Sequence, residues 1–284
     1  MVNIVHIGGK YMVKILSFAN FKGGVGKTST TALTSWALAA KGYKVLAIDF
    51  DAQANLTSLL LKTKASGSEN AIITIDRSLM SAINENIPIN EIAISITDNL
   101  DLVPTAVDFS MYPRYLDKMF NSEIEKVSFF KNALGSFKDK YDFIFIDVPP
   151  TLSLQNDTAF YACDDIVVVL QTQERSMAGA EAFIQYLQNT LINEFESSVD
   201  VLGILPVLSK RNAQVDAEIL EAAKQEFGEE NIFRNTITIM ERIKRMDMTG
   251  ITANNNDRWD NKVHESFSLV ADELIARLNS VKEG

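Results

Sequence analysis

Residues 20–29 of the chain read Asn20-Phe21-Lys22-Gly23-Gly24-Val25-Gly26-Lys27-Thr28-Ser29. This stretch follows the apolar run Val13–Ala19 and precedes residues with helical spacing, so it lies where a strand should turn into a helix. Glycines let the backbone curl with its N–H groups pointing inward, and the N-terminus of a helix adds partial positive charge. These features predict a loop that binds polyphosphate largely through its main chain.

The side chains of this loop predict how the phosphates are held. Lys27 would neutralise the β- and γ-phosphates, and the hydroxyl of Thr28 would be a ligand of Mg²⁺. The cofactor-binding residues predicted in the loop are Gly23, Gly24, Val25, Gly26, Lys27, Thr28 and Ser29. Phe21 stands where the general G-x-x-x-x-G-K-[ST] pattern has its first glycine, so the match is incomplete. A glycine-rich turn that binds nothing is the alternative.

Apolar runs separated by helical patterns continue along the chain. We predict strands at Val13–Ala19, Lys44–Ile48, Leu100–Pro104, Tyr141–Ile146, Asp165–Leu170 and Val201–Val207. Several of these runs do not alternate with polar residues, as expected of strands covered on both faces. Between the first two runs, apolar residues recur at helical spacing from Leu33 to Ala40, and Gly42 follows as a helix stop. The sequence therefore predicts an α/β fold, a doubly wound and mostly parallel sheet with helices on both faces.

Aspartates follow two of the predicted strands. Asp49 and Asp51 come directly after the second run, in the segment Asp49–Thr57, and Asp147 comes directly after the fourth. The carboxyl ends of parallel strands form the rim at which α/β sheets bind ligands, so we expect these carboxylates near the glycine loop. Such a group can hold Mg²⁺ or orient a water toward a γ-phosphate. For Asp49–Thr57, a solvated turn that caps a helix is the alternative.

A lysine directly before Gly23-Gly24 is the mark of the deviant Walker A motif, and at this point the chain resembles the ParA/MinD family. The segment Asp49–Thr57 is similar to the family's D-x-D-P-Q-x-N-x-T segment, with Ala52 where proline is usual. The resemblance extends from residue 13 to the end of the chain. It implies that Lys22 reaches across a dimer interface to the phosphates of the partner's nucleotide.

The resemblance also implies roles for other residues. The predicted catalytic residues are Lys22, Lys27 and Asp51, with Asp51 orienting the attacking water. The predicted Mg²⁺ site comprises Thr28, Asp49 and Asp147, partly through water, with Asp147 as the Walker B residue. The run Gly203–Val207 ends near the expected adenine pocket, and its Pro206 is a further predicted cofactor-binding residue. ATP and Mg²⁺ are thus the predicted cofactors.

We predict one P-loop ATPase domain at residues 13–284, preceded by an N-terminal extension at residues 1–12. The polar stretch that begins at Lys62 predicts a mobile loop, followed by a short helix around Ser78–Asn84. Phe267, Val270, Leu274 and Leu278 have helical spacing, which favours a C-terminal helix docked on the domain.

Composition excludes several classes of protein. The single cysteine, Cys163, and two histidines make an iron–sulfur protein improbable, and we expect Cys163 to be a small buried residue. The sequence has neither a run of about 18 apolar residues nor a basic and then apolar N-terminus. We therefore expect a cytoplasmic, nucleoid-associated protein with no membrane partner. The net charge of −10 argues against a generally basic surface, so contact with DNA needs a local patch.

Such a patch is predicted in Phe233–Arg245, which has four basic residues and one acid. The predicted DNA-binding residues are Arg234, Arg242, Lys244 and Arg245, and Lys210 and Arg211 could extend the patch. In ParA-like proteins the matching stretch contributes to DNA binding that is independent of sequence, through phosphate contacts. An exposed helix with balancing charges elsewhere is the alternative.

The resemblance implies a switch ATPase of the short form, without an N-terminal helix-turn-helix domain. ATP would join two subunits into a homodimer, which binds double-stranded DNA non-specifically until a ParB-like centromere-binding protein stimulates hydrolysis. Two alternatives stay open at this point. One is a MinD-like ATPase that cycles on membranes, although the tail Asp272–Gly284 has mixed charge rather than a basic amphipathic pattern. The other is a P-loop ligase acting on a small metabolite, because such enzymes share the fold.

Overall fold

A computed structural model describes residues 13–66, 73–137, 139–172, 176–208, 214–238, 241–252 and 257–280. Its strands are β1 (Lys14–Ala19), β2 (Val45–Asp49), β3 (Ile94–Thr97), β4 (Leu100–Val103), β5 (Phe143–Asp147), β6 (Asp165–Gln171), β7 (Asp200–Leu208) and β8 (Ile237–Thr238). They form an eight-stranded sheet in the order β3-β4-β2-β5-β1-β6-β7-β8. The pairing of β3 with β4 is antiparallel, and the other pairings are parallel.

The helices are α1 (Lys27–Ala40), α2 (Asn55–Ser66), α3 (Leu79–Glu85), α4 (Tyr112–Met119), α5 (Glu123–Ala133), α6 (Leu154–Ala162), α7 (Ser176–Tyr186), α8 (Gln214–Phe227), α9 (Glu241–Thr249) and α10 (Arg258–Ser280). Helix α7 continues as a π-helical segment, Leu187–Glu194. Short 3₁₀ turns lie at Ile89–Glu91, Val107–Met111, Leu134–Phe137 and Glu229–Asn231.

The sheet is covered on both faces, which confirms the predicted fold class. One apolar layer contains side chains from α3 to α7, among them Phe130, Phe160 and Phe183. The opposite layer contains side chains from α1, α2, α9 and α10, including Leu33 and Phe267. Strands β2, β5 and β6 are buried at every position. Their continuous apolar runs therefore reflect burial on both faces of the sheet, as predicted.

The predicted strands are all confirmed, with ends that differ by at most a few residues. The sequence missed β3 and β8, which are the two edge strands. β3 has four residues and an irregular register with β4, and β8 has two residues, so neither gives a run long enough to recognise.

The region after Lys62 differs in part from its prediction. Lys62–Ser66 is the last part of α2 rather than the start of a loop, and residues 67–72 lie outside the described residues. The predicted short helix is confirmed as α3. Ser78 caps this helix, because its hydroxyl accepts a hydrogen bond from the Ser81 N–H. Residues 1–12 also lie outside the described residues, so the domain boundary stays a prediction.

The C-terminal helix α10 docks on the sheet as expected. Its residues Phe267, Val270, Leu274 and Leu278 are buried in the same layer as α1. Cys163 is also buried, in the opposite layer. Within the described residues, no helix combines the length and apolar character that crossing a bilayer requires.

One side chain of α10 covers the outer edge of β7. β8 pairs only with Val207 and Leu208 at the end of β7. Nearer its start, the guanidinium of Arg277 donates to the carbonyls of Leu202 at 3.4 Å, Glu230 at 2.9 Å and Ile232 at 2.7 Å. Of these carbonyls only that of Leu202 belongs to β7, and the next one along this edge, that of Ile204, accepts from the Phe233 N–H at 2.8 Å.

Gly250, which follows α9, lies against the backbone of α2, and this close approach predicts the effect of a substitution on the free energy of unfolding. Its φ is +81°, and a Cβ there would lie 2.4 Å from the backbone nitrogen of Thr63 and 2.5 Å from the carbonyl carbon of Lys62. Gly250→Ala should therefore lower the free energy of unfolding by about 2–3 kcal/mol, through backbone strain and overpacking. Gly42→Ala is the matched control, because φ is +92° there but a Cβ meets nothing within 4 Å.

Urea titration of both variants measures the difference. Gly42→Ala carries the backbone strain alone and should cost about 1 kcal/mol. Equal losses of stability in the two variants would show that the contact between α9 and α2 is not tight.

Candidate active site

The glycine loop lies at the point where the strand order reverses. β1 pairs with β5 on one side and β6 on the other, and the loop leaves its carboxyl end. In doubly wound sheets, ligands bind at this switch point. Gly24 and Gly26 have φ values of +73° and +93°, a backbone conformation that side-chain-bearing residues rarely adopt. Because α1 begins at Lys27, the loop ends on the N–H groups of a helix N-terminus.

Phe21, which replaces the usual first glycine, anchors the loop to α7. Its ring packs edge-on against Phe183 with 4.9 Å between ring centroids, and against Tyr186 at 5.2 Å. Phe21 thus makes an aromatic contact with α7 at a position where the general motif has a glycine.

Lys27 is nearly buried inside the loop. Its ammonium donates a hydrogen bond to the carbonyl of Lys22 at 3.1 Å. Burial lowers the pKa of Lys27, while the nearby carboxylates of Asp147 and Asp51 oppose that shift. A positive charge held inside the loop is what polyphosphate needs as its counter-charge.

Two buried carboxylates lie side by side on neighbouring strands. Asp49 ends β2, Asp147 ends β5, and they are register partners. Burial, and next the charge of Asp49, raises the pKa of Asp147 to about 8. The pKa of Asp49 rises to about 6, also through burial, although hydrogen bonds from Thr57 oppose the rise. The ammonium of Lys27 opposes the rise for Asp147 but does not outweigh burial and the like charge of Asp49.

This arrangement fits a divalent cation. One oxygen of Asp147, Oδ1, is buried without a hydrogen-bond partner among the described residues, and the hydroxyl of Thr28 bonds the carboxylate. Within the described parts of the chain, no group of three or more His, Cys, Asp or Glu residues could hold a metal. Mg²⁺ does not need such a cage, because it takes one or two carboxylates and completes its shell with phosphates and water.

Asp51 differs from the buried pair in being partly exposed to the cleft. Its N–H donates to Asp49 Oδ1 at 3.1 Å, and its own Oδ1 accepts from the Gln53 N–H at 3.0 Å. The Thr57 N–H donates to Asp49 Oδ2 at 2.8 Å, so the loop after β2 is organised around these carboxylates. Asp51 can therefore face a ligand while Asp49 stays behind it.

A cleft of about 630 Å³ brings six of the residues predicted for the nucleotide site together. Its walls include Gly24, Gly26, Lys27, Thr28, Ser29 and Asp51, together with Val148 and Pro150 from the loop after β5. A larger cavity of about 820 Å³ lies between α8 and α10, but its Arg277 and Glu273 side chains are paired with each other. We place the candidate active site at the cleft for that reason.

Three predicted residues have other surroundings. Val25 is buried in the apolar layer below α1, so only its backbone can serve a ligand. Pro206 lies inside β7 opposite Leu170 and is not among the described residues that line the cleft. The ammonium of Lys22 lies 3.4 Å from the hydroxyl of Ser176, the first residue of α7.

The sequence missed other polar groups around the cleft. Lys62 and Asp247 line its outer end, where the Lys62 ammonium donates to the Asp247 carbonyl at 2.6 Å. Gln155 and Asn156 lie behind the loops after β2 and β5. No local pattern marks these four residues, because the strand order brings them to the site.

The basic segment is only partly a surface patch. Arg234 is exposed before β8, and Lys244 and Arg245 are exposed on α9. Arg242 instead makes a bidentate pair with Asp260, a fully buried carboxylate at the start of α10. The guanidinium of Arg242 thus neutralises a buried charge within the chain, and its role as a DNA contact stays a prediction. Lys210 and Arg211 lie outside the described residues.

Comparisons with known proteins agree with this geometry. A family model described as an AAA domain matches residues 13–201. The sporulation initiation inhibitor protein Soj of Bacillus subtilis is 28% identical over 219 residues, covering 76% of this chain and 81% of the relative. A virulence plasmid ParA family protein of Chlamydia psittaci is 31% identical over 195 residues, covering 68% of each chain.

Two solved structures show how widely the fold is used. The ATP complex of McdA from Cyanothece has a TM-score of 0.76 at 20% identity, covering 94% of this chain and 97% of that one. Cobyrinic acid a,c-diamide synthase from Mycobacterium smegmatis, with ADP and magnesium, has a TM-score of 0.71 at 21% identity, covering 95% and 96%. At such identities the likeness concerns the fold alone.

The sheet order and the glycine loop at the switch point define a P-loop nucleoside triphosphatase fold. Within this class, the domain match and the sequence relatives identify the family. The chain belongs to the ParA/Soj-type partition ATPases.

Proposed function

We propose that the chain is an ATP-dependent dimerising switch for plasmid or chromosome partition. In this proposal it binds DNA non-specifically in its ATP state, and a ParB-like partner stimulates hydrolysis and releases it. The observation that carries the proposal is the meeting of the glycine loop, Lys27 and Asp51 in one cleft, in a chain whose sequence relatives include partition proteins.

The residues of the cleft divide the work between binding and hydrolysis. The N–H groups of the loop and the ammonium of Lys27 hold the phosphates of ATP. Asp51 orients the attacking water, because it is partly exposed to the cleft while Asp49 and Asp147 are buried. Thr28, Asp49 and Asp147 would hold Mg²⁺, partly through water, and the ion would supply positive charge that neutralises the phosphates.

Lys22 is the proposed link between two subunits. Its backbone N–H donates to Asn20 Oδ1 at 2.9 Å, and Asn20 in turn donates to the Val169 carbonyl at 2.8 Å on β6. The backbone of Lys22 is thus fixed to the sheet, while its side chain is long and only partly buried. Such a residue can exchange its contact with Ser176 for the phosphates of a partner's nucleotide.

Lys244 and Arg245 are the main proposed DNA contacts, and Arg234, which precedes them in the same basic segment, is a further one. Lys244 and Arg245 lie exposed on α9, and the local positive charge opposes the net charge of −10. Phosphate contacts of this kind carry no information about sequence.

We predict that Lys244→Ala with Arg245→Ala weakens binding to DNA of any sequence and leaves ATP binding intact. Removing one phosphate contact should reduce the slope of log K against log salt by about 0.9, so the double variant should show a visibly shallower slope. Fluorescence anisotropy with DNA at several salt concentrations measures the slope.

The matched control is Lys44→Ala with Lys140→Ala, two exposed lysines at the amino ends of β2 and β5. It removes the same charge from the amino ends of two inner strands. If the two double variants lose affinity equally, the effect is one of net charge and the proposed DNA surface is wrong.

One experiment tests the whole proposal. Sedimentation with and without ATP and Mg²⁺ should show a dimer only with ATP, and DNA should bind that dimer. Binding to anionic lipid vesicles instead of DNA would favour the MinD-like alternative. ATP turnover that requires a carboxylic acid substrate would favour a ligase, an alternative that the shared fold with the diamide synthase keeps open.

A further inference from the structure

Two neighbouring amides lie in the first turn of α6, directly behind the cleft. Gln155 and Asn156 are both buried, at 9% and 1% exposure. Ser153 caps the helix, and its hydroxyl accepts a hydrogen bond from the Asn156 N–H. Burial of two amides is costly unless they are hydrogen-bonded, so their partners indicate what they do.

Gln155 binds the loop after β2. Its Nε2 donates to the carbonyl of Phe50, the residue between Asp49 and Asp51. The Phe50 N–H donates in turn to the Asp147 carbonyl at 2.8 Å. The backbone between the two aspartates is therefore held from both sides.

Asn156 binds the loop after β5. Its Nδ2 donates to the carbonyls of Pro149 at 2.8 Å and Thr151 at 2.6 Å. These groups flank Pro150, which lines the cleft and lies beside Gly23 of the glycine loop. The Oδ1 atom of Asn156 has no donor among the described residues, so the amide serves as a double donor.

We propose that Gln155 and Asn156 are positioning residues that fix the two loops facing the γ-phosphate of ATP. Gln155 bonds the loop that carries Asp51, and Asn156 bonds the loop that carries Pro150. Because the two amides are adjacent in one helical turn, they fix the distance between these loops. The inference rests on the proposed ATPase function and adds residues that act behind the cleft. Neither amide bonds the glycine loop or Lys27 in any of these contacts, so binding of a diphosphate should not depend on them.

The test is Asn156→Asp, which keeps the size of the side chain and removes both donors. A carboxylate facing two carbonyls repels them, so the loop around Pro150 must move. We expect affinity for a non-hydrolysable ATP analogue and kcat to fall about tenfold, as for the loss of one or two hydrogen bonds, with ADP affinity unchanged within about twofold. Titration calorimetry with each nucleotide and a steady-state ATPase assay measure these quantities.

The matched control is Asn99→Asp, because the Asn99 amide donates to the Ala39 carbonyl at 3.3 Å and Asn99 lies at the amino end of β4, opposite to the carboxyl ends that form the cleft. It should leave the ratio of analogue to ADP affinity as in the wild type. If Asn156→Asp does not fold, Asn156→Ala removes the same donors without burying a charge.

The outcomes separate the two proposals. Equal weakening of analogue and ADP, or an unchanged ratio with normal kcat, would overturn the positioning role. If the wild-type protein binds neither nucleotide, the proposed function itself fails, and the positioning role fails with it.

Discussion

Lys27→Ala is expected to weaken ATP binding by about 100-fold or more. The variant removes the one ammonium that the structure places inside the glycine loop, where burial already lowers the pKa of Lys27. Truncating one partner of a desolvated charge pair costs on the order of 3 kcal/mol, which corresponds to about two orders of magnitude in affinity. Calorimetric titration with ATP and Mg²⁺ measures the loss directly.

The control is Lys41→Ala at the other end of α1, where the lysine pairs with Asp272 on α10. That variant removes the same charge from the opposite end of the same helix, away from the cleft, so its ATP affinity should be normal. Near-normal affinity in Lys27→Ala would instead show that the phosphates bind elsewhere.

Asp51→Ala is expected to keep ATP binding and ATP-dependent dimerisation while slowing hydrolysis on the order of 100-fold. A carboxylate that orients a water acts mainly in the transition state, so its loss lowers kcat more than affinity. Asp51→Asn separates chemistry from structure, because an amide oxygen can still accept the hydrogen bond from the Gln53 N–H. Both variants should therefore be slow.

Single-turnover hydrolysis and sedimentation check this result. Asp200→Ala is the control, since Asp200 is an exposed aspartate at the start of β7. Normal hydrolysis in Asp51→Asn but not in Asp51→Ala would make Asp51 a structural cap of the loop. Normal hydrolysis in both would mean that another group orients the water.

The sequence predicted most of the sheet because its inner strands have a simple physical signature. β2, β5 and β6 are buried throughout, and uninterrupted apolar runs follow from that burial. The same holds for the glycine loop, where Gly24 and Gly26 adopt the positive φ that glycine tolerates. In these cases local chemistry and tertiary structure demand the same residues.

Contacts between distant segments could not be predicted in this way. By charge alone Arg242 was predicted to be a surface cation, yet it is half-buried and pairs with Asp260, a buried residue of another helix. In the sequence Phe21 is only a departure from the general motif, because its ring contacts with Phe183 and Tyr186 depend on the fold. Gln155 has no motif, because its partner Phe50 lies 105 residues away along the chain.

The guanidinium of Arg277 has a consequence for how copies of this chain can associate. An uncovered strand edge is a template on which another molecule can add a strand, and fibrous aggregates grow by that step. Along β7 the carbonyl of Leu202 is bonded by Arg277, and β8 contributes only two residues of its own. A foreign strand would have to displace an arginine that is also stacked on Phe233, 4.4 Å from its ring centre. Together with the Phe233 N–H, which donates to the Ile204 carbonyl at 2.8 Å, this side chain disfavours the addition of a foreign strand at this edge of the sheet.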